Sequence, residues 1–400
     1  MQGTLARAAA GTVAVAAVAT VGPYSAQAAQ AAAAPVTVDV PCSAAVLASD
    51  VGSASSGETL SLAPGCVYLM TAGLPVVSQD LAIAGNGATL ERSSAPGTPA
   101  FTILQVDSGT VAVSRLNFRN GRGAIVVNNI GDVTVSGGTF TGNAATDGGA
   151  IADNSALDGL TVRGATFTGN TATNGGAIFD FSAVGATVTD STFCGNHAAN
   201  GGAIFTDPDV QTSLSGIVAH GNSATTGGGI YNVTNVALSS SRIWGNHASG
   251  QGGGLYNSGA QPSQAQVTST VFRGNSAQEG AGAYNADGML SFSDSMISGN
   301  EARASGGGIY DSGDPRSELG SVNLKDSEVT GNHAGAAGGG IYNDGGEVDA
   351  AGTRIAVNTA AAAGGIADHG TVTVKLTGAT VIKNMPDNCE PAGSITGCTS

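Results

Sequence analysis

Two sets of side chains in this 400-residue chain could do chemistry, and both recur at a regular interval. The first is an acid and amide series: Asp153, Asp180, Asn232, Asn257, Asn285, Asp311, Asn343 and Asp368, with Thr206 standing where one acid would fall. If the repeats stack, Asp153 and Asp180 lie about 5 Å apart, near the separation a retaining glycosidase gives its two carboxyl groups. Stacking imposes that distance on any aligned pair, however, and Asp and Asn are favoured at sharp corners for their local hydrogen bonding. The pair is therefore the runner-up reading, and no catalytic residue is assigned. With Asp147 and Asp207 close in sequence, calcium is the other use these carboxylates suggest. The Gly-Gly-x-Gly-x-Asp nonapeptide of calcium-loaded repeats is missing, and no cofactor is assigned.

The second set is aromatic. Phe179, Phe205, Tyr231, Tyr256, Tyr284, Tyr310 and Tyr342 each follow an aliphatic residue or Ala283, and five of the seven tyrosines lie in this series. If the preceding residue points inward, alternation turns the aromatic outward. The result is an amphipathic stripe able to receive sugar rings or a partner protein, or else a self-contained stack buttressing a corner. Two insertions, Ser258 to Gln266 and Ser312 to Gly320, flank one shorter repeat, so the trough floored by Tyr284, Asn285 and Asp287 is the preferred ligand site.

Other reactive types are sparse. Lys325, Lys375 and Lys383 are the only lysines, and no Arg-x-Lys cluster occurs. A lyase acting on acidic polysaccharide needs such cations to neutralise a carboxylate and remove a proton. His197, His247 and His333 recur two and three repeats apart, too far for one metal, while His220 and His369 fall outside that column. All five read as surface or corner residues. The net charge of −15 opposes binding to nucleic acid or anionic lipid.

The elements that must position these residues repeat too. A Gly-Asn pair, then a glycine cluster, then an aliphatic residue recurs from Asn143 through Asn170, Asn196, Asn222, Asn246, Asn275, Asn300 and Asn332, with Asn120, Asn358 and Asn384 as outlying members. The interval is about 26 residues, within the range typical of solenoids. Within a repeat, stretches such as Ala186 to Phe193 alternate polar with apolar and are rich in β-branched residues, which favours strand. Gly, Asn and Asp at the joints tolerate left-handed backbone. A parallel β-helix of roughly 10–12 coils follows. Three positions before each Asn come Phe140, Phe167, Phe193, Ala219, Ile243, Phe272, Ile297, Val329, Ile355 and Val381, an inward ladder weakest at Ala219 unless Val218 substitutes.

Arg7, an apolar run to about Val21, and Ala26-Gln27-Ala28 read as a secretory signal over residues 1–28. Residues 29–80 then form a linker and N-terminal cap, 81–384 the β-helix, and 385–400 a C-terminal cap. No later stretch is long and apolar enough to span a membrane. Five cysteines suit an oxidising compartment, most economically as Cys42 with Cys66 and Cys389 with Cys398, leaving Cys194 single.

Gly-Gly-Ala-Ile together with Phe-x-x-Asn, complete at Phe140–Asn143, Phe167–Asn170, Phe193–Asn196 and Phe272–Asn275, resembles the repeat of chlamydial polymorphic outer membrane proteins. Cys42, the stretch Leu62 to Tyr68, the turn Gly85 to Thr89, and the tail Asn384 to Cys389 with Cys398 are similar to secreted actinobacterial right-handed β-helix proteins. The resemblance implies an all-β, right-handed, pectate-lyase-like parallel β-helix and a secreted, extracellular location. The chlamydial likeness implies adhesion, although no membrane barrel accompanies it here. The combined expectation is a non-catalytic protein that binds an extracellular polysaccharide or surface protein through Tyr231, Tyr256, Tyr284, Asn285, Asp287, Tyr310 and Tyr342. The alternative is a polysaccharide lyase or hydrolase on the same scaffold.

Overall fold

A computed structural model describes residues 36–398, apart from 158, 209, 259–262, 314–319, 371–373 and 392. The expected signal segment and the tips of both insertions lie outside the described residues.

Short strands follow one another around a coil, and each pairs in parallel with its counterpart one coil later. Three sheets result, of 24, 13 and 5 strands. The largest is two adjoining columns, joined where the long strands Leu104–Ser114 and Ile125–Ser136 run through both. Register holds like over like: Phe140, Phe167 and Phe193 are successive partners in the 13-stranded sheet, and Ile151, Ile178 and Ile204 in the largest. The chain is thus a parallel β-helix of thirteen rungs, counted along its middle sheet.

The stack starts earlier than the repeat pattern suggests. Thr37–Val40 pairs with Glu58–Leu62, which pairs with Leu81–Ala84, so the sheet runs through the segment expected to be a linker and cap. Val67–Met70 and Thr89–Arg92 likewise begin the 13-stranded sheet. Their one Gly-Asn pair, Gly85-Asn86, precedes the strand Thr89–Arg92 instead of following it as in the repeats, so a count based on the repeat asparagine passes over these coils. Among the described residues, the helix Ala44–Ser53 caps this end: Ser43 accepts the Val46 amide, and Leu47 and Val51 are buried in the core. Disulfides join Cys42 to Cys66 and Cys389 to Cys398, and Cys194 is free.

Inside, the four phenylalanines Phe118, Phe140, Phe167 and Phe193 stack with centroids 4.7–5.1 Å apart. The series stops at Ala219, and Val218 does not replace the missing ring because alternation places it on the outer face. Coils can approach this closely because of the glycine cluster. A Cβ on Gly149 would stand 2.2 Å from the Gly176 carbonyl oxygen, and one on Gly176 as close to that of Gly202.

Candidate functional site

The repeat Asn side chains form a closed hydrogen-bonded column. From Asn143 to Asn358, each Oδ1 of the next Asn accepts both the backbone amide and the Nδ2 of the one before, at 2.9–3.1 Å. Each Nδ2 also donates to a carbonyl of the preceding coil, as Asn222 does to Phe193. All are buried. Every polar atom is satisfied at low dielectric, so this column is scaffold.

The acid and amide series is a second interior column rather than a row of corner residues. Asp153 and Asp180 are register partners, and both are fully buried. Asp180 accepts hydrogen bonds from the Ser182 amide and hydroxyl, the Ala186 amide and the Thr212 hydroxyl. Asp153 accepts from the Ser155 amide at 3.1 Å and shares side-chain hydrogen bonds with Ser155 and Ser182, while its Oδ2 has no partner. Burial, with a smaller contribution from the Asp180 charge, pushes Asp153 up to about 6. A raised carboxyl beside a second carboxyl is the arrangement of an acid and base pair. Here, however, the wall of the coil separates both from any polymer outside. The physical reason is alternation: Ile178 and Asp180 are the two inward residues of a three-residue strand, and Phe179 between them faces out.

Further along, Thr206, Asn232, Asn257 and Asn285 each donate to the next member, ending on Asp311 Oδ1 at 2.9 Å. Asp311 Oδ2 is buried without a partner, and burial lifts this carboxyl to about 7. A second short segment runs from Asn343 to Asp368. Among the described residues, no three His, Cys, Asp or Glu converge as metal ligands.

The aromatic series does form one continuous ladder on the outer face. Phe179, Phe205, Tyr231, Tyr256, Tyr284, Tyr310 and Tyr342 stack with centroids 4.7–5.4 Å apart, and His369 adds a ring at 5.2 Å. The open stripe expected from alternation is corrected in one respect. Coil spacing equals ring-stacking distance, so each ring covers its neighbour's faces, and Tyr284 and Tyr310 are only 7% and 8% exposed. Ring edges and phenol oxygens are what the ladder offers outward.

Those oxygens have neighbours. Tyr310 donates to Asp344 Oδ2 at 3.1 Å, and Tyr231 and Tyr284 share hydrogen bonds with Ser258 and Ser312 at the starts of the insertions. Asp207, Glu279, Asp287 and Asp344 are near enough that their charges, after burial, hold the phenols neutral; Tyr256 is pushed up to about 12. The trough floor is only partly available, since Asn285 is enclosed in the interior column while Asp287 is part-exposed.

The sequence reading of the histidines leaves their partners open. His197, His247 and His333 are exposed and pair through Nδ1 with Ser223, Ser276 and Thr359 one coil on, at 2.9–3.0 Å. His369 continues the tyrosine stack, and His220 stacks on Trp244 at 4.6 Å. Column position was the available signal: His369 follows the aligned Asp368, and His220 precedes Trp244 by one coil in register.

Fold and surface together define a parallel β-helix carrying solvent-facing aromatic and hydroxyl tracks. The Chlamydia polymorphic membrane protein repeat matches at residues 164–180 and 190–207. Among solved structures, the chain is similar to the A-module of the mannuronan C-5 epimerase AlgE6 of Azotobacter vinelandii, with 12% identity and a TM-score of 0.40 over 84% of this chain and 91% of that one. It is also similar to tailspike protein 3 of bacteriophage CBA120, with 14% identity and a TM-score of 0.36 over 88% of this chain and 59% of that one. No curated protein matches significantly.

Proposed function

We propose that this protein is secreted and acts without catalysis, holding an extracellular polysaccharide that is neutral or carries amino groups along the outer edge of the tyrosine ladder. The observation that carries this reading is the unbroken row of phenol edges from Tyr231 to Tyr342, accompanied by Asp207, Glu279, Asp287 and Asp344. Phenol and carboxylate oxygens accept from sugar hydroxyls or ammonium groups, while the ring edges supply apolar contact. The same acids repel a polyanion. Enclosure of Asp153 and Asp180 supports a role in binding rather than hydrolysis. Two disulfides suit an oxidising compartment, and no helix among the described residues is long and apolar enough to cross a membrane.

Co-sedimentation of the purified protein with insoluble chitin, cellulose and peptidoglycan tests this directly, with the supernatant assayed for released sugar. Retention on at least one polymer is expected, weakened about tenfold in a Tyr256→Ala, Tyr342→Ala double variant, as is ordinary for lost aromatic contacts. Far-UV circular dichroism verifies that the variant is folded. Retention unaffected by these changes removes the ladder from the interface. Sugar release abolished by Asp153→Asn would instead establish a hydrolase.

A further inference from the structure

A cavity of about 480 Å³ lies on the outer face of the 13-stranded sheet, away from the tyrosine column's own sheet. Arg242, Trp244, Val271 and Arg273 frame it, with Gly245 and Gly274 at its rim. We propose that this recess binds a carboxylate-bearing sugar ring, with Trp244 as the platform and Arg242 and Arg273 as the anion clamp. This second surface goes beyond the polysaccharide binding assigned to the tyrosine ladder and does not depend on it.

The recess arises from a local change in two outward columns. In earlier coils these positions hold Thr139, Thr166 and Thr192 on one side and Thr141 and Thr168 on the other, short side chains that leave the sheet flat. Where Arg242 pairs with Val271, and Trp244 with Arg273, long side chains rise on both sides of a gap. His220, register partner of Trp244 one coil before, lies parallel to the indole with an interplanar angle of 6°. That contact holds the indole in one orientation, yet Trp244 remains 45% exposed. A large apolar ring fixed in place and open to solvent is suited to the apolar face of a sugar, because little freedom is lost on binding.

Charge supplies the specificity. Arg242 and Arg273 are both exposed, and neither enters an ion pair among the described residues, whereas Arg119, Arg163, Arg354 and Lys375 each do. Their register neighbours, Val218 and Val271 for Arg242 and Trp244 and Ser298 for Arg273, are not acids. One left-handed corner position is Asp at 190, 294 and 326, but Ser at 240 and 269, in the two coils that carry the free arginines. Asp tolerates this backbone better than Ser does. The nearest acid in the same outward columns, Glu328, is engaged by Arg354 at 2.7 Å. Two unpaired guanidiniums on a chain of net charge −15 form a local cationic spot, which surrounding acids screen beyond a Debye length of about 8 Å. A single carboxylate fits such a spot; a densely charged polyanion meets the acidic remainder. Guanidinium is the planar donor that matches carboxylate geometry.

Trp244 is the only tryptophan in the chain, so its fluorescence reports this site alone. Titration of the full chain with galacturonate should give a saturable change in emission, absent with its methyl ester. Arg242→Gln and Arg273→Gln should each weaken the apparent affinity about tenfold, the usual loss for a charge-assisted contact. Arg→Lys at either position should restore part of it. No saturable change, or an equal response to the methyl ester, overturns the proposal. An equal or stronger response to inorganic sulfate or to a DNA oligonucleotide overturns it too, since the site would then be a general anion patch. The Tyr256→Ala, Tyr342→Ala variant should keep the Trp244 signal, which separates failure of this site from failure of the ladder.

Discussion

The column from Asn143 to Asn384 and the column from Asp153 to Asp368 lie inside the same coils, one residue to a rung, but they are tied to different things. In the first, each side chain accepts the backbone amide of its predecessor and donates to a backbone carbonyl. In the second, the contacts run largely from side chain to side chain, and buried oxygens on Asp153 and Asp311 lack partners. A peptide group cannot turn away when its partner is removed; a side chain can. The uniform column is therefore structural at every step, while the mixed one tolerates variation and becomes sensitive to pH where its acids are enclosed.

The sharpest test is to remove one member from each. Asn222→Leu strands the Asn196 amide, its Nδ2 and the Phe193 carbonyl together. At about 1–3 kcal/mol for each buried unsatisfied group, a loss of roughly 3–6 kcal/mol is expected by urea denaturation. Asn257→Leu should cost less, about 2 kcal/mol, because Asn232 and Ser263 can reorient. Equal costs would erase the distinction between the columns.

Acidity provides the next test. Asp311 has a folded value of about 7 against 3.8 when free. Between those limits the folded chain keeps a proton that the unfolded chain has released, so stability falls as pH rises through this window and stays lowered above it. Asn at 311 carries no charge, and its Nδ2 can reach toward position 343, its register partner, continuing the amide series. Asp311→Asn should thus stabilise at pH 8, on the order of 2–4 kcal/mol, and give no gain at pH 3. Thermal melts at the two values decide the matter; a gain independent of pH would show that packing rather than charge governs the site.

The smallest effect belongs outside. Tyr256→Phe keeps the stack and removes one phenol oxygen, so stability should shift by less than about 0.5 kcal/mol. Polysaccharide retention should nonetheless drop, if hydroxyls rather than ring faces make the contact. A larger loss of stability would mean that the ladder's edge is part of the scaffold.

Much of this was legible before any coordinates. The interval between Gly-Asn pairs and the β-branched alternation led to a parallel β-helix, and the inward positions of Phe140, Phe167 and Phe193 followed from that repeat. The two disulfide pairs followed from position along the chain. The early coils were less readable because Thr37–Val40 and Glu58–Leu62 join the sheet through backbone pairing without the repeat's side-chain signature. The aromatic column was visible, but its self-coverage was not, since it depends on ring spacing in three dimensions.

By itself, then, the order of residues determined which side chains share a column, because a fixed repeat length brings like positions into register. Only the tertiary structure decided which columns are reachable. Asp153 and Phe179 sit on opposite sides of the same thin wall, and a one-residue alternation makes one a sealed carboxyl and the other part of an outer stack. Trp244 took its meaning the same way. Its neighbours His220 and Arg273 are 24 and 29 residues distant along the chain yet adjacent across the sheet, and hydrogen bonding between coils, rather than nearness in sequence, brings them together.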